Sequence, residues 1–168
     1  MTSPASPIGV FDSGIGGGGV LQALRHELPH ERFVYLADSG NAPYGDARGD
    51  AFVQQRTRTI ARHLREQHQI KVLVIACNTA STLVIEALRR RFPGQPFVGT
   101  VPAIKPAAER TRSGLVAVLA TPGTVKRQYT RDLITNWASK CHVRLVGSDR
   151  LAGLAEIYMR DGFVDEEA

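Results

Sequence analysis

Short apolar runs alternate along this chain with stretches whose apolar residues return every three or four positions. Six runs read as strands, over 7–11, 33–37, 71–76, 97–100, 114–120 and 142–147. They are rich in Val, Ile and Leu, as in parallel strands that are buried on both faces. The stretches between them carry helical faces. Val20, Leu21, Leu24 and Leu28 share one; Val53, Thr57, Ile60 and Leu64 share a second; Ala80, Leu83, Val84, Ala87 and Leu88 share a third. Val125, Tyr129, Leu133 and Trp137 step by four in a helix expected after the fifth strand, and a last helix is expected over 151–160. Regular alternation of strand and helix predicts an α/β chain with largely parallel sheets flanked by helices.

In such sheets ligands bind beyond the carboxyl ends of the strands. Three of these ends carry chemistry here: Asp12-Ser13, Cys77-Asn78-Thr79 and Thr121-Pro122-Gly123-Thr124. Small hydroxyls, an amide, one thiol and open backbone N–H groups suit a small anion such as a carboxylate. Cys77 falls where a buried strand hands over to a helix, with the capping residues Asn78, Thr79 and Ser81 behind it. Nearness to unpaired N–H groups and a helix dipole leads us to expect a thiolate there. The plain alternative, a small buried hydrophobe, fits the position equally well.

The glycine run 14-Gly-Ile-Gly-Gly-Gly-Gly-19 can be forced onto a dinucleotide-binding pattern, but no acidic residue about twenty positions on closes a second strand convincingly. We read it as a tight turn with close backbone packing, able to offer backbone contacts to a small carboxylate. The loop from Asp38 to Asp46 is built of ordinary turn formers and offers Tyr44 and the Gly45 N–H as site elements.

Taken together, these segments resemble the bacterial glutamate racemases. The resemblance rests on Phe-Asp-Ser-Gly-Ile-Gly-Gly at 11–17, Ala-Asp-Ser at 37–39, Pro-Tyr-Gly at 43–45 and Ala-Cys-Asn-Thr-Ala-Ser at 76–81. Val-Pro-Ala-Ile-Lys-Pro-Ala at 101–107 and Thr-Pro-Gly-Thr at 121–124 complete it, in family order. Aspartate racemases share the cysteine-asparagine-threonine element but generally not this opening. The resemblance implies a cofactor-independent interconversion of L- and D-glutamate that supplies peptidoglycan. It implies two similar domains with the active site in the cleft between them. Cys77 would be a catalytic base and acid, with Asp12 and Ser13 contacting substrate or supporting it. Tyr44, Gly45, Asn78 and Thr79 would bind substrate, Thr121 and Thr124 would lie near its carboxylate or amino group, and Glu156 matches more loosely an acidic residue near the site. Removing an α-proton without an electron sink calls for two groups on opposite faces of the α-carbon. Nothing in the sequence suggests a pyridoxal or metal centre: there are only four lysines and no histidine-cysteine cluster at metal spacing.

The chain also departs from that family. The later Gly-Cys-Thr-His-type motif with the second catalytic cysteine does not occur. The only other cysteine, Cys141, stands at the start of the sixth strand, the end opposite the site, and reads as structural. The chain is expected to lack the family's carboxyl-terminal third. On that reading it divides into a disordered leader (1–7), a first α/β domain (8–97) and a truncated second α/β domain (98–168), with exposed apolar surface and little or half-competent activity. Two rivals stay open: a racemase of another acidic amino acid such as aspartate, and a catalytically silent chain that binds glutamate or a partner subunit.

Composition narrows the picture further. Hydrophobic residues make up 43% and charged residues 22%, the balance of a soluble globular protein. No apolar run approaches a membrane span and no signal peptide opens the chain, so neither a membrane nor secretion is expected. Two cysteines of unlike context fit a reducing cytoplasm. The net charge of +5 comes from 17 arginines and four lysines. Arg58, Arg62 and Arg65 read as the solvated face of one helix, and Arg89-Arg90-Arg91 as favourable charge at the carboxyl end of the next. Aromatics, at 7%, are not interleaved with the basic residues, so nucleic acid is not an expected partner. The expected partner is the small-molecule substrate glutamate; a homodimer is compatible with the resemblance, but the residues do not set oligomeric state.

Overall fold

The computed structural model describes residues 3–45 and 48–164. Strands β1 (Ile8–Asp12), β2 (Phe33–Ala37), β3 (Val72–Ile75) and β4 (Phe97–Gly99) form a parallel sheet in the order β2-β1-β3-β4. Strands β5 (Leu115–Ala120) and β6 (His142–Gly147) pair in parallel as a second sheet. Among the described residues seven α-helices accompany them: α1 (Gly17–Glu27), α2 (Asp50–His68), α3 (Asn78–Arg91), α4 (Ile104–Arg110), α5 (Pro122–Lys126) and α6 (Gln128–Trp137) lie between strands, and α7 (Leu151–Asp161) follows β6. The expected α/β architecture is present, and each strand lies within one residue of its predicted bounds. Because β4 belongs to the first sheet, the chain leaves that sheet after Gly99.

Both faces of the first sheet are covered, which is why its strands read as unbroken apolar runs. Phe11, Leu73 and Ile75 face the α2–α3 side, where Val53, Ile60, Ala61 and Leu64 of α2 meet Ala80, Val84 and Leu88 of α3. The opposite side packs Val10 and Val74 against Val20, Leu21 and Leu24 of α1. Each fully buried aliphatic side chain contributes about 1.5–3 kcal/mol relative to exposure, so the α2–α3 layer carries much of the stability.

The second sheet is covered on one face only. Leu115 and Leu119 on β5 and Val146 on β6 point to the other face and are 62%, 57% and 40% exposed. Tyr158, Met159 and Phe163, in and just beyond α7, add further exposed apolar surface. This matches the expectation of uncovered apolar surface.

The helix expected after β5 departs from the prediction. It is broken at Arg127, whose extended backbone (φ −71°, ψ 145°) separates α5 from α6. The hydroxyl of Thr130 donates to the carbonyl of Thr124 at 2.6 Å, so Thr130 is buried where the step-of-four pattern would bury its neighbour. Tyr129 and Trp137 consequently stand exposed, with the Lys105 ammonium 3.8 Å from the Trp137 ring centroid. Of the leader, Met1 and Thr2 lie outside the described residues. Residues 3–7 include a turn closed by Ser6 N–H on the Ser3 carbonyl, and Lys71 bonds the carbonyls of Pro4 and Pro7.

Candidate active site

Strand β1 has β2 on one side and β3 on the other, so successive crossovers leave it in opposite directions. The crevice at such a switch point is where open α/β sheets bind ligands. Asp12 closes β1, and Cys77 follows β3, whose end is tied to β1 by Ala76 N–H on the Phe11 carbonyl at 2.7 Å. The ends of β5 and β6, with Thr121 and Ser148, face the same space. The result is a cleft of about 500 Å³ between the two sheets. Asp12, Ser13, Tyr44, Cys77, Asn78, Thr79, Thr121, Thr124 and Glu156 all line it, whereas Gly45 does not. Asp46, in the same loop, lies outside the described residues. Sequence reasoning missed Thr100, Ser148 and the α7 residues Leu151, Ala152 and Ala155. The strand-end rule applied to β6 would have found Ser148; the α7 helix and its Glu156 are expected, but nothing in the local sequence marks Leu151, Ala152 or Ala155 as lining.

Cys77 itself caps α3: its sulfur accepts the Ala80 N–H at 3.4 Å, whereas residue type alone favours Asn78, Thr79 or Ser81 for that role. Its thiol also donates to Ser13 Oγ at 3.4 Å. The expected thiolate is not supported. Burial pushes the Cys77 thiol above its ordinary range; the Ser13 hydroxyl and the Ala80 N–H pull it down, but Asp12 pushes it up again. The residue is 6% exposed, and loss of water outweighs the helix terminus. Asn78 is the first residue of α3, and the N–H groups of Asn78 and Thr79 have no acceptor within the helix. They are suited to an anion at that end of the cleft.

Three hydroxyls bridge the sheets. Thr79 Oγ1 lies 3.3 Å from Thr121 Oγ1 and 3.4 Å from Thr124 Oγ1, and the latter two are 2.9 Å apart. Thr121 caps α5, accepting the Thr124 N–H.

The glycine turn is as tight as expected, but the carboxylates it holds are the chain's own. Asp12 Oδ2 accepts the N–H groups of Gly14 (3.1 Å) and Gly17 (2.9 Å). Glu156 Oε1 reaches across from α7 to accept the Ile15 N–H at 3.0 Å. At Gly17 an added Cβ would stand 2.6 Å from Asp12 Cβ, so only glycine allows this approach. Tyr35 donates to the Gly14 carbonyl, and its phenol is pushed up first by burial, then by Asp12 and Glu156.

Tyr44, 2% exposed, is held by a network beneath the cleft. Its hydroxyl donates to Asp38 Oδ2 at 2.5 Å, and Arg56 grips the same carboxylate through Nε (2.8 Å) and Nη2 (2.6 Å). Asn41 Nδ2 adds a fourth bond at 3.1 Å. Burial alone would raise Asp38, but the bonds from Arg56, Tyr44 and Asn41 hold it below the usual carboxylate range. Cys141 stands away from the cleft, with its sulfur 3.9 Å from the Ala108 carbonyl. Among the described residues, no group of three or more His, Cys, Asp or Glu is placed to hold a metal ion, and no helix is long and apolar enough to cross a membrane.

Known proteins resemble this chain in both sequence and fold. Residues 19–167 match the profile of the family described as Asp/Glu/Hydantoin racemase. A glutamate racemase of Mesorhizobium japonicum is 66% identical over 162 residues, covering 96% of this chain and 62% of that protein. A glutamate racemase of Brucella canis is 58% identical, over 98% of this chain and 59% of its own length. The crystal structure of Escherichia coli glutamate racemase, in complex with L-glutamate and the activator UDP-MurNAc-Ala, superposes with a TM-score of 0.85 at 42% identity. The match covers 95% of this chain and 60% of that one. The chain thus spans about three fifths of the length of these relatives.

Proposed function

Because this chain belongs to the Asp/Glu/Hydantoin racemase family, we propose that its cleft is a cofactor-independent glutamate racemase site, with Cys77 as the acid/base group on one face of the substrate α-carbon. The observation that carries this reading is the position of the Cys77 sulfur. It lies in the cleft between the two sheets, bonded to Ser13, with the Asn78 and Thr79 N–H groups beside it. Glutamate as substrate is supported by the relatives' activity and by the L-glutamate bound to the Escherichia coli enzyme.

In this reading the substrate carboxylate docks against the α3 N-terminus and the Thr79, Thr121 and Thr124 hydroxyls. As Cys77 takes the α-proton onto sulfur, negative charge moves onto that carboxylate, where fixed N–H and O–H dipoles already point. Burial raises the Cys77 thiol, so it must release its own proton to solvent before it takes the α-proton, and the positive charge of the substrate's ammonium favours that ionisation. Asp12 and Glu156 act by holding the glycine turn that carries Ser13, and Asp38 and Arg56 act by fixing Tyr44. Full racemisation also needs a proton donor on the opposite face. Cys141, which precedes β6 and does not line the cleft, is not placed to supply it, so in this reading Cys77 serves one face only. The physiological role that follows for the complete activity is cytoplasmic supply of D-glutamate for peptidoglycan.

Proton NMR of L- and D-glutamate, incubated separately with the chain in D₂O, tests the reading. Loss of the α-proton from one enantiomer, abolished by Cys77→Ser, is the expected result. Loss from both with interconversion would reveal a second acid/base group. With no exchange from either, a glutamate titration distinguishes a silent binding chain from one that has lost the site.

A further inference from the structure

Helices α2 and α3 pack side by side on one face of the first sheet, and the packing gathers arginines that the sequence keeps about thirty positions apart. Arg58 and Arg62 lie one turn apart on the outer side of α2, and Arg91 ends α3 beside them. With Gln55 and Thr59 they line a concavity of about 270 Å³. A second concavity of about 400 Å³ shares Arg58 and Arg91 and adds Arg90. Phe92 lies at the base, with the Arg65 guanidinium 4.4 Å and the Arg91 guanidinium 5.5 Å from its ring centroid. Stacking on the ring orients both groups without neutralising them.

These charges have no counterions among the described residues. The ion pairs of the structure use other arginines, and Glu86, the acidic residue of α3, is taken by Arg89 at 2.7 Å. Glu66, one turn beyond Arg62, makes no ion pair among the described residues. Like charges concentrated around a concave surface raise the local positive potential and favour a multivalent anion. Guanidinium forks match phosphate oxygens two at a time, and the Gln55 side-chain amide adds a neutral donor, the Thr59 hydroxyl being spent on the Gln55 carbonyl at 3.1 Å. The surface is short, and its one aromatic ring is already covered by arginine, so it lacks the repeated stacking platform a nucleic-acid strand needs.

We propose that the outer face of α2 and α3 binds a compact oligophosphate, a ligand of two or more linked phosphate groups, between Arg58, Arg62 and Arg91. The site is remote in function from the cleft and does not depend on the racemase reading. Calorimetric titration of tripolyphosphate into the 168-residue chain tests it. Saturable binding is expected, weakened at least about a hundredfold in the variant combining Arg58→Ala, Arg62→Ala and Arg91→Ala. A control combining Arg110→Ala, Arg112→Ala and Arg144→Ala removes the same charge from exposed positions elsewhere and is expected to bind as the parent does. Equal weakening of both variants, or no saturable heat, overturns the proposal. Single-stranded oligonucleotides of increasing length form the second arm. Affinity that does not grow with length supports a compact ligand, and affinity that climbs with length replaces it with a nucleic-acid surface.

Discussion

Replacing Asp38 by Asn probes how the cleft is held in shape. Asp38 is 6% exposed and accepts four bonds, from Tyr44 Oη, Arg56 Nε and Nη2, and Asn41 Nδ2. An amide keeps one acceptor but turns its nitrogen toward donors, so two of these bonds are lost and Arg56 loses its counterion. Breaking a buried ion pair costs about 3–5 kcal/mol. The Arg56 side chain is 39% exposed and can recover part of that from water, which brings the expected loss to about 2–4 kcal/mol. Urea denaturation followed by circular dichroism measures it as a lower midpoint at unchanged slope. The pH dependence gives a second reading. Because Asp38 is held below its unfolded value, its contribution is complete above about pH 4 and is lost as pH falls through the lower folded value. Asp38→Asn is therefore expected to be least stable relative to the parent at neutral pH and to converge with it in acid. A stability loss under about 0.5 kcal/mol, or one that does not shrink in acid, would refute the view that this carboxylate anchors Tyr44 as an ion.

Two further outcomes follow from the same geometry. Alkylation of Cys77 by iodoacetamide should be slow at neutral pH and rise with a midpoint above that of a free thiol, since burial holds the proton on. Ser13→Ala should move that midpoint higher still, because the Ser13 hydroxyl favours the thiolate, and a midpoint near neutrality would show the helix terminus winning over burial. Gly17→Ala drives a methyl group to 2.6 Å from Asp12 Cβ, against β1 rather than against a flexible side-chain tip. It should cost about 1–3 kcal/mol of stability, whereas Gly18→Ala, with open space around it, should be neutral or stabilising in thermal melts.

The strands and their parallel character were legible in the sequence because they depend on a local property. A run such as Val72-Leu73-Val74-Ile75, apolar on both faces, is stable only between two helical layers, and its length and neighbours say so. The strand-end rule points to Asp12 and Cys77, which share one edge of the first sheet, and to Thr121 at the corresponding end of β5 in the second. Where prediction failed, the deciding interaction came from far along the chain or from burial. Thr130 bonding back to Thr124 broke a helix that its apolar spacing would have continued. Desolvation at Cys77 overrode a dipole that sequence position alone made attractive. The N–H groups of the glycine turn, open in the sequence, are claimed by Asp12 and by Glu156, which is 141 residues from Ile15.

The sequence by itself determined the α/β class, the order of its elements, the motifs that place the chain in its family, and the strand ends where the chemistry gathers. Periodicity and capping act over a few residues and leave their mark there. Only the tertiary structure decided how Cys77 ionises, which hydroxyls of the two sheets meet, how Arg56 reaches Asp38 beneath Tyr44, and that the arginines of α2 and α3 form one surface. These properties depend on distances between segments and on the water excluded between them, and no local pattern records either.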